Sequence, residues 1–201
     1  MGEAGIFSED DRVELIEGEI FDMTPIGHQH AGLVNRLNRL LVMAAGGRAV
    51  VSVQNPLRLS EQSEPQPDLA LLKPRADDYQ GAAATATDVL LVVEVADTSR
   101  DYDRTVKIPL YAQHDIPEAW LIDLPGKVVE VYRDPSPDGY RDVRRYGREK
   151  TIRPLHCPEV EIETARRFYS RVRIITLPRY IDFLVSRRTN ISRKPKEGIC
   201  G

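Results

Sequence analysis

The chain has 201 residues, with 28 Lys and Arg against 31 Asp and Glu, and a net charge of -3 at neutral pH. This length favours a single domain with one hydrophobic core, and the mixed composition excludes a collagen-like, low-complexity or disordered protein. No apolar run approaches the roughly 18 to 20 residues of a membrane-spanning helix, and the acidic start lacks the layout of a signal peptide, so a cytoplasmic location is expected. Two distant cysteines, Cys157 and Cys200, predict neither a disulfide framework nor a zinc site.

Charge is unevenly distributed along the chain. Residues 169–201 contain eight basic and two acidic residues, a net charge of +6, which leaves -9 on the remainder. We therefore predict a folded domain at residues 1–168 and a basic extension at residues 169–201, in which Tyr180, Phe183 and Leu184 indicate a short helix before a disordered tail. Because an acidic body attracts nucleic acid poorly, such binding would need a local basic face or this extension.

The first predicted elements are a β-hairpin and an amphipathic helix. Residues 13–23 contain two short apolar segments on either side of Gly18, a pattern typical of a hairpin. From Gln29 to Ala45 the leucines and valines recur at helical spacing, and Gly46 follows as a stop signal. Residues 48–53 and 57–59 are strand-like segments separated by Pro56.

Two largely apolar, strand-length segments form the predicted centre of the fold, at residues 68–72 and 88–96. Apolar residues at nearly every position are typical of strands that are covered on both faces. In the longer segment, alternation assigns Val89, Leu91 and Val93 to one face and Leu90 and Val92 to the other.

Two acidic residues, Glu94 and Asp68, lie near the ends of the central strands. Glu94 lies near the end of the longer strand, where a carboxylate is costly unless it is paired, hydrogen-bonded or bound to a metal. Asp68 follows Pro67 at the start of the neighbouring strand, and Lys107 lies on the segment after Glu94. These two residues are the candidate partners of Glu94.

The second half of the chain predicts a helix followed by more strands. A helix over residues 101–113 contains Pro109, which lacks a backbone N–H, so we expect a kink or a late start. Residues 119–123 and 128–132 then predict a hairpin across Pro125-Gly126, a dipeptide that fits a type II turn. A polar strand follows at residues 140–146. This order predicts an α/β fold with a mixed β-sheet flanked by helices and preceded by the N-terminal hairpin.

Asp68, Glu94 and Lys107 together have the chemistry of phosphodiester hydrolysis. Magnesium takes one or two carboxylates and keeps several waters, and it can polarise a phosphoryl oxygen or activate a bound water. A nearby lysine can stabilise the charge that develops on phosphorus. Since acidic residues at strand ends are common, the spacing alone leaves a purely structural role open.

The sequence around these residues resembles the Uma-type family of bacterial endonucleases, within the PD-(D/E)XK superfamily of restriction-endonuclease-like fold. The resemblance covers roughly Glu14 to Phe168. It is carried by Pro67-Asp68, Val92-Val93-Glu94-Val95, Asp103 with Lys107 and Tyr111, Ile116 to Asp123, Glu14 to Glu19 with Met23-Thr24-Pro25 and His30, and Pro158 to Ile162. It implies a magnesium-dependent nuclease core in which Asp68 and Glu94 are metal ligands and Lys107 is the catalytic lysine.

The chain departs from the superfamily pattern at one position. The superfamily lysine stands two residues after the glutamate, but Ala96 occupies that position here. Lys107 would therefore have to reach the site from the following helix. The resemblance also favours a further catalytic carboxylate from the N-terminal hairpin, either Glu17 or Glu19, without indicating which one faces the metal.

Three other side chains have both a functional and a structural interpretation. His30, near the start of the first helix, either approaches the phosphate or is a packing or capping residue. Gln54 either contacts the substrate or a metal-bound water or has no such role. Trp120 is interpreted as a core residue rather than a base-stacking platform.

Two functions from different classes are compatible with these features. The first is a metal-dependent endonuclease that hydrolyses DNA with Mg²⁺, or with Mn²⁺ as a substitute, and acts as a homodimer by analogy with folds of this kind. The second is an inactive module of the same fold that binds nucleic acid or a protein partner. The acidic body and the displaced lysine favour the second hypothesis, and metal-dependent cleavage would favour the first.

Overall fold

The structure, a computed structural model, describes residues 12–23, 26–147, 150–158 and 161–163. The strands in these ranges are β1 (Val13–Ile16), β2 (Glu19–Asp22), β3 (Val50–Val53), β4 (Leu57–Arg58), β5 (Leu69–Leu72), β6 (Ala84–Thr85), β7 (Val89–Ala96), β8 (Glu118–Asp123), β9 (Val128–Ser136), β10 (Gly139–Tyr146), β11 (Thr151–Ile152) and β12 (Ile162–Glu163). The helices are α1 (His28–Ala45), α2 (Arg100–Tyr102) and α3 (Ile108–Gln113), with a π-helical segment, Asp103–Lys107, between α2 and α3.

A six-stranded mixed sheet forms the centre of the molecule, in the order β10-β9-β8-β7-β5-β3. Strands β7 and β8 are parallel and are joined through the helical segment between them, whereas the other neighbours in the sheet are antiparallel. Strands β1 and β2 form a separate antiparallel hairpin. The predicted α/β class, mixed sheet and N-terminal hairpin are confirmed.

Helix α1 covers one face of the sheet. Its apolar positions, including Leu33, Leu37 and Leu41, are buried against residues of β5, β7 and β8. The helix ends at Gly46, which adopts the left-handed conformation (φ 55°) and donates its N–H to the carbonyl of Val42. Glycine is favoured here because other residues pay a steric cost at positive φ.

Helix α3 covers the opposite face of the sheet. Ile108 and Tyr111 pack there against Val92, Ala119 and Leu121 of the two parallel strands. The central strands are thus buried on both faces, which explains why β5 and β7 are apolar at nearly every position.

A β-bulge in β7 changes which face two of its residues occupy. Leu71 pairs with Leu91 and Leu72 pairs with Val89, so Leu90 is an extra residue in β7. Val89 therefore packs on the α3 face and Leu90 packs toward the α1 face. The alternation expected for these two residues was wrong, because one inserted residue reverses the alternation beyond it.

Pro109 is the second residue of α3 and follows the π-helical segment directly. The chain reaches it through the π-helical segment, whose last bond runs from the N–H of Ile108 to the carbonyl of Asp103. The chain is helical from Arg100 to Gln113, and the π-helical segment divides the predicted 101–113 helix into α2 and α3.

The β8–β9 turn differs from the type II turn predicted from Pro125-Gly126. Gly126 does not have a positive φ, whereas Lys127 does (φ 54°). The N–H of Gly126 donates to Asp123 Oδ1 at 2.8 Å, and a Cβ on Gly126 would collide with the Asp123 carboxylate. Glycine is needed here because of this close approach, and the type II prediction was wrong.

None of the helices in the described ranges has both the length and the apolar character needed to cross a membrane. The predicted boundary at residue 168 and the basic extension at residues 169–201 lie outside the described residues.

Candidate active site

A cavity of about 420 Å³ lies where the β1–β2 hairpin, the start of α1 and the segment after β7 meet the central strands. Its lining includes six acidic and two basic residues in the described part of the chain. They are Glu14, Asp22, Asp68, Glu94, Asp97 and Asp103, with Arg12 and Lys107. Asp68, Glu94 and Lys107, which are distant in sequence, thus meet at one cavity.

Asp68 precedes β5 and turns toward the neighbouring strand β7. Its Oδ2 accepts a hydrogen bond from the Val95 N–H at 2.9 Å and lies 2.9 Å from His30 Nε2, while its Oδ1 accepts from Gln54 Nε2 at 3.1 Å. Burial acts to raise the pKa of Asp68, but the contacts with His30, Val95 and Gln54 outweigh it and the net shift is downward. Asp68 is therefore held as a carboxylate.

Glu94 projects from β7 toward the α3 face and is 3 % exposed. Its Oε1 accepts a hydrogen bond from the Tyr111 hydroxyl at 2.6 Å and lies 2.7 Å from Lys107 Nζ. Burial raises the pKa of Glu94 to about 8, although the charge of Lys107 opposes the shift. Burial therefore disfavours the ionised form of Glu94, and a second cation nearby would stabilise that form.

Lys107 reaches the cavity from the end of the π-helical segment and is 3 % exposed. Besides Glu94, its Nζ contacts Glu14 Oε1 at 2.8 Å and the carbonyl of Gln66 at 3.3 Å. Burial acts to lower the pKa of Lys107, but Glu94, Glu14 and Asp103 outweigh it, so the pKa is raised and the amine stays protonated. Ala96, at the superfamily lysine position, is buried.

The hairpin contributes a different carboxylate from the two predicted. Glu17 is exposed in the β1–β2 turn with a positive φ, Glu19 is exposed on β2, and neither lines the cavity. Glu14 is 4 % exposed and contacts Lys107, and it also accepts the Gln66 N–H at 2.8 Å. Glu14 is on the same face of β1 as the buried Ile16, so alternation along the strand could have shown that it faces inward. Leu15 is equally apolar and lies on the other face, so the sequence did not show which face is buried.

Two buried polar atoms of the cavity lining have no hydrogen-bond partner within the described part of the chain. They are His30 Nδ1 and the hydroxyl of Tyr102. The sequence drew attention to His30 but not to Tyr102, whose sequence neighbours are ordinary for a helix. Trp120 is buried in the core and donates from Nε1 to Glu118 at 2.8 Å, as expected of a core residue.

The donor set fits a magnesium ion better than a metal held mainly by protein ligands. No group of three or more His, Cys, Asp or Glu side chains in the described ranges is arranged to hold a metal. Magnesium needs only one or two carboxylates and completes its shell with water and substrate oxygens. Asp68 Oδ1 accepts one hydrogen bond, and no hydrogen bond to Glu94 Oε2 is found among the described residues. Each of these oxygens therefore retains a lone pair that can bind a cation.

Comparison with known proteins defines the family and the fold. No curated protein matches the chain. A crystal structure described as a putative nuclease belonging to DUF820, from Anabaena variabilis ATCC 29413, matches with a TM-score of 0.67 and 14 % identity, over 83 % of this chain and 94 % of that chain. The model of the Uma2 family, described as "Putative restriction endonuclease", matches residues 3–165. The chain belongs to the Uma2 family of nucleases.

Proposed function

We propose that the protein is a magnesium-dependent endonuclease that hydrolyses phosphodiester bonds of DNA. The observation that carries the proposal is the meeting of three residues at one acidic cavity: Glu94 on β7, Asp68 directly before the adjacent strand β5, and Lys107 on the π-helical segment. Membership of a nuclease family supports the reaction class.

Asp68 Oδ1 and Glu94 Oε2 are the proposed metal ligands, because each retains a lone pair. Mg²⁺, or Mn²⁺ in its place, would polarise a phosphoryl oxygen and lower the pKa of a bound water. The hydrogen bonds from Val95 and His30 hold the Asp68 carboxylate in place, and the Tyr111 hydroxyl does the same for Glu94.

Lys107 is the proposed stabiliser of the negative charge that develops on phosphorus. It is protonated and buried, so its charge is poorly screened by solvent. Glu14 fixes the amine from the hairpin side at 2.8 Å, and we propose Glu14 as the positioning carboxylate in place of Glu17 or Glu19.

The acidic lining gives a physical reason for the proposed metal dependence. Six acidic residues against two basic ones would repel a DNA phosphate, and divalent cations would offset that repulsion. The basic extension at residues 169–201 is a candidate for the remaining attraction to DNA.

The test measures nicking of supercoiled plasmid DNA by the full chain in Mg²⁺. Asp68→Asn, Glu94→Gln and Lys107→Met preserve side-chain size, and each should lower the nicking rate by about 10² to 10³-fold. Glu130→Gln is the matched control, since Glu130 is a buried carboxylate outside the cavity lining and its substitution should leave nicking unchanged. Nicking that survives all three site substitutions would exclude this assignment.

A second candidate function is a non-catalytic binding module, which one observation favours. Lys107 already contacts three acceptors, namely Glu94, Glu14 and the Gln66 carbonyl, which is also what a purely structural buried lysine would do. DNA binding that weakens steeply with salt, without cleavage in Mg²⁺ or Mn²⁺, would support this second function.

We also propose a homodimer, by analogy with nucleases that cut both strands as pairs. Sedimentation of the full chain tests this, and a single species of monomer mass at micromolar concentration would contradict it.

A further inference from the structure

Tyr102 lines the cavity together with Asp68, Glu94 and Lys107. It is the last residue of α2, directly before the π-helical segment that carries Lys107. Its ring packs against Phe21 of β2, with the ring centroids 5.5 Å apart and the planes inclined by 48°. This contact fixes the ring between the hairpin and the helical segment.

The hydroxyl of Tyr102 is buried and has no hydrogen-bond partner in the described part of the chain. Other tyrosines that pack in the fold have one: Tyr111 donates to Glu94, Tyr132 to Glu130 and Tyr140 to the carbonyl of Ile116. An unsatisfied buried hydroxyl destabilises a fold, and phenylalanine would make the same ring contact without that penalty. Packing against Phe21 therefore explains the ring of Tyr102 but not its hydroxyl.

The surroundings favour a role as a hydrogen-bond donor to an anion. Burial, followed by the charge of Glu14, raises the pKa of Tyr102 to about 12, although Lys107 opposes the shift. The hydroxyl therefore keeps its proton at neutral pH. It provides a neutral donor directly before the π-helical segment that carries Lys107, the proposed charge-stabilising residue, at a cavity that would bind a phosphodiester.

We propose that the Tyr102 hydroxyl binds the substrate by donating a hydrogen bond to an oxygen of the phosphodiester in the cavity. This inference rests on the proposed nuclease function and adds to it a substrate-binding residue outside the set of Asp68, Glu94 and Lys107.

The experiment compares Tyr102→Phe with Tyr140→Phe, because the two tyrosines differ in whether the fold itself satisfies the hydroxyl. Tyr140 donates to the Ile116 carbonyl at 2.8 Å and does not line the cavity. Cleavage of a fluorescent DNA duplex in Mg²⁺ gives kcat and KM, and melting without DNA or Mg²⁺ gives Tm.

For Tyr102→Phe we expect kcat/KM to fall by about tenfold or more, mainly through a higher KM, because a hydrogen bond to a charged oxygen is lost. Its Tm should be unchanged or higher by up to about 4 °C, since no bond within the protein is removed. Tyr140→Phe should show the opposite pattern, with unchanged kinetics and a Tm lower by about 2 to 4 °C.

Two results would overturn the inference while leaving the nuclease proposal intact. One is a Tyr102→Phe variant that cleaves DNA as the unsubstituted protein does. The other is a fall in Tm for Tyr102→Phe equal to that of Tyr140→Phe, which would show that the hydroxyl has a partner within the protein. If the unsubstituted protein fails to cleave DNA in Mg²⁺, both proposals fail together.

Discussion

Glu94 and Asp103 at the cavity differ from Glu118 and Glu130 on β8 and β9 in how completely the fold satisfies a buried carboxylate. In the cavity, burial raises the pKa of Glu94 and of Asp103, and two polar atoms of the lining have no partner in the described chain. Beyond the cavity, Glu118 is fully buried and accepts bonds from Trp120, from Arg133 and from the Leu155 N–H.

Glu130, also outside the cavity lining, is similar to Glu118. It accepts two hydrogen bonds from Arg104 and one from Tyr132, and Arg145 lies 3.0 Å away. These contacts outweigh burial and lower the pKa of Glu130. The comparison shows that this fold can satisfy a buried carboxylate completely. The incomplete satisfaction at the cavity is therefore informative, because perturbed titratable groups concentrate at functional sites.

The largest effect on stability is expected at Glu118. Glu118→Ala leaves Arg133, the Trp120 N–H and the Leu155 N–H without their acceptor, so we expect a loss of about 3 to 5 kcal/mol in the free energy of unfolding. Urea denaturation measures it. The control is Glu61→Ala, because Glu61 is 87 % exposed and its pair with Arg58 should contribute less than about 1 kcal/mol. Equal losses for the two variants would contradict the comparison.

The next prediction concerns the contribution of Glu94 to stability, which should depend on pH. Its pKa is raised from 4.5 to about 8 on folding, so its contribution is fully present below pH 4.5 and is lost as the pH rises through about 8. Glu94→Gln should remove that loss while keeping an acceptor for Tyr111. Urea midpoints measured in EDTA across this pH range test the prediction, and parallel curves for the two proteins would contradict it.

Glu130 should show the opposite pH dependence. Its pKa is lowered from 4.5, so its contribution is present above that value and is lost as the pH falls through the lower folded pKa. Glu130→Gln should therefore reduce the acid sensitivity of the urea midpoint below pH 4.5 and leave the alkaline side unchanged. A change on the alkaline side would show that Glu130 and Glu94 are coupled.

The smallest effect is expected at the solvent-exposed side of the Glu130 cluster. Arg145 is 65 % exposed, and Glu130 keeps both hydrogen bonds from Arg104 without it. Arg145→Ala should therefore cost less than about 1 kcal/mol in urea denaturation, and that small cost should shrink further in high salt. A larger loss, or one that is insensitive to salt, would contradict the weak contribution expected of this exposed ion pair.

Much of the architecture could be predicted from local sequence. The apolar segments predicted β5 and β7, the helical spacing with Gly46 predicted α1, and Gly18 indicated the β1–β2 turn. These signals are local because burial on both faces requires apolar residues at nearly every position, and chain reversal requires particular backbone dihedrals.

Contacts between distant segments could not be predicted from local sequence patterns. The bulge at Leu90 depends on how β7 pairs with β5, and the need for glycine at position 126 comes from the close approach of Asp123. Neither has a pattern within its own segment that the sequence displays.

The sequence alone determined the family, the mixed α/β sheet, and Asp68, Glu94 and Lys107 as the residues to examine. Only the tertiary structure decided that Glu14 rather than Glu17 or Glu19 faces Lys107, and that the Tyr102 hydroxyl lacks a partner in the described chain. The physical reason is that strand and helix patterns depend on residues that are close along the chain. Whether a buried charge or hydroxyl is satisfied depends on atoms that folding brings from elsewhere.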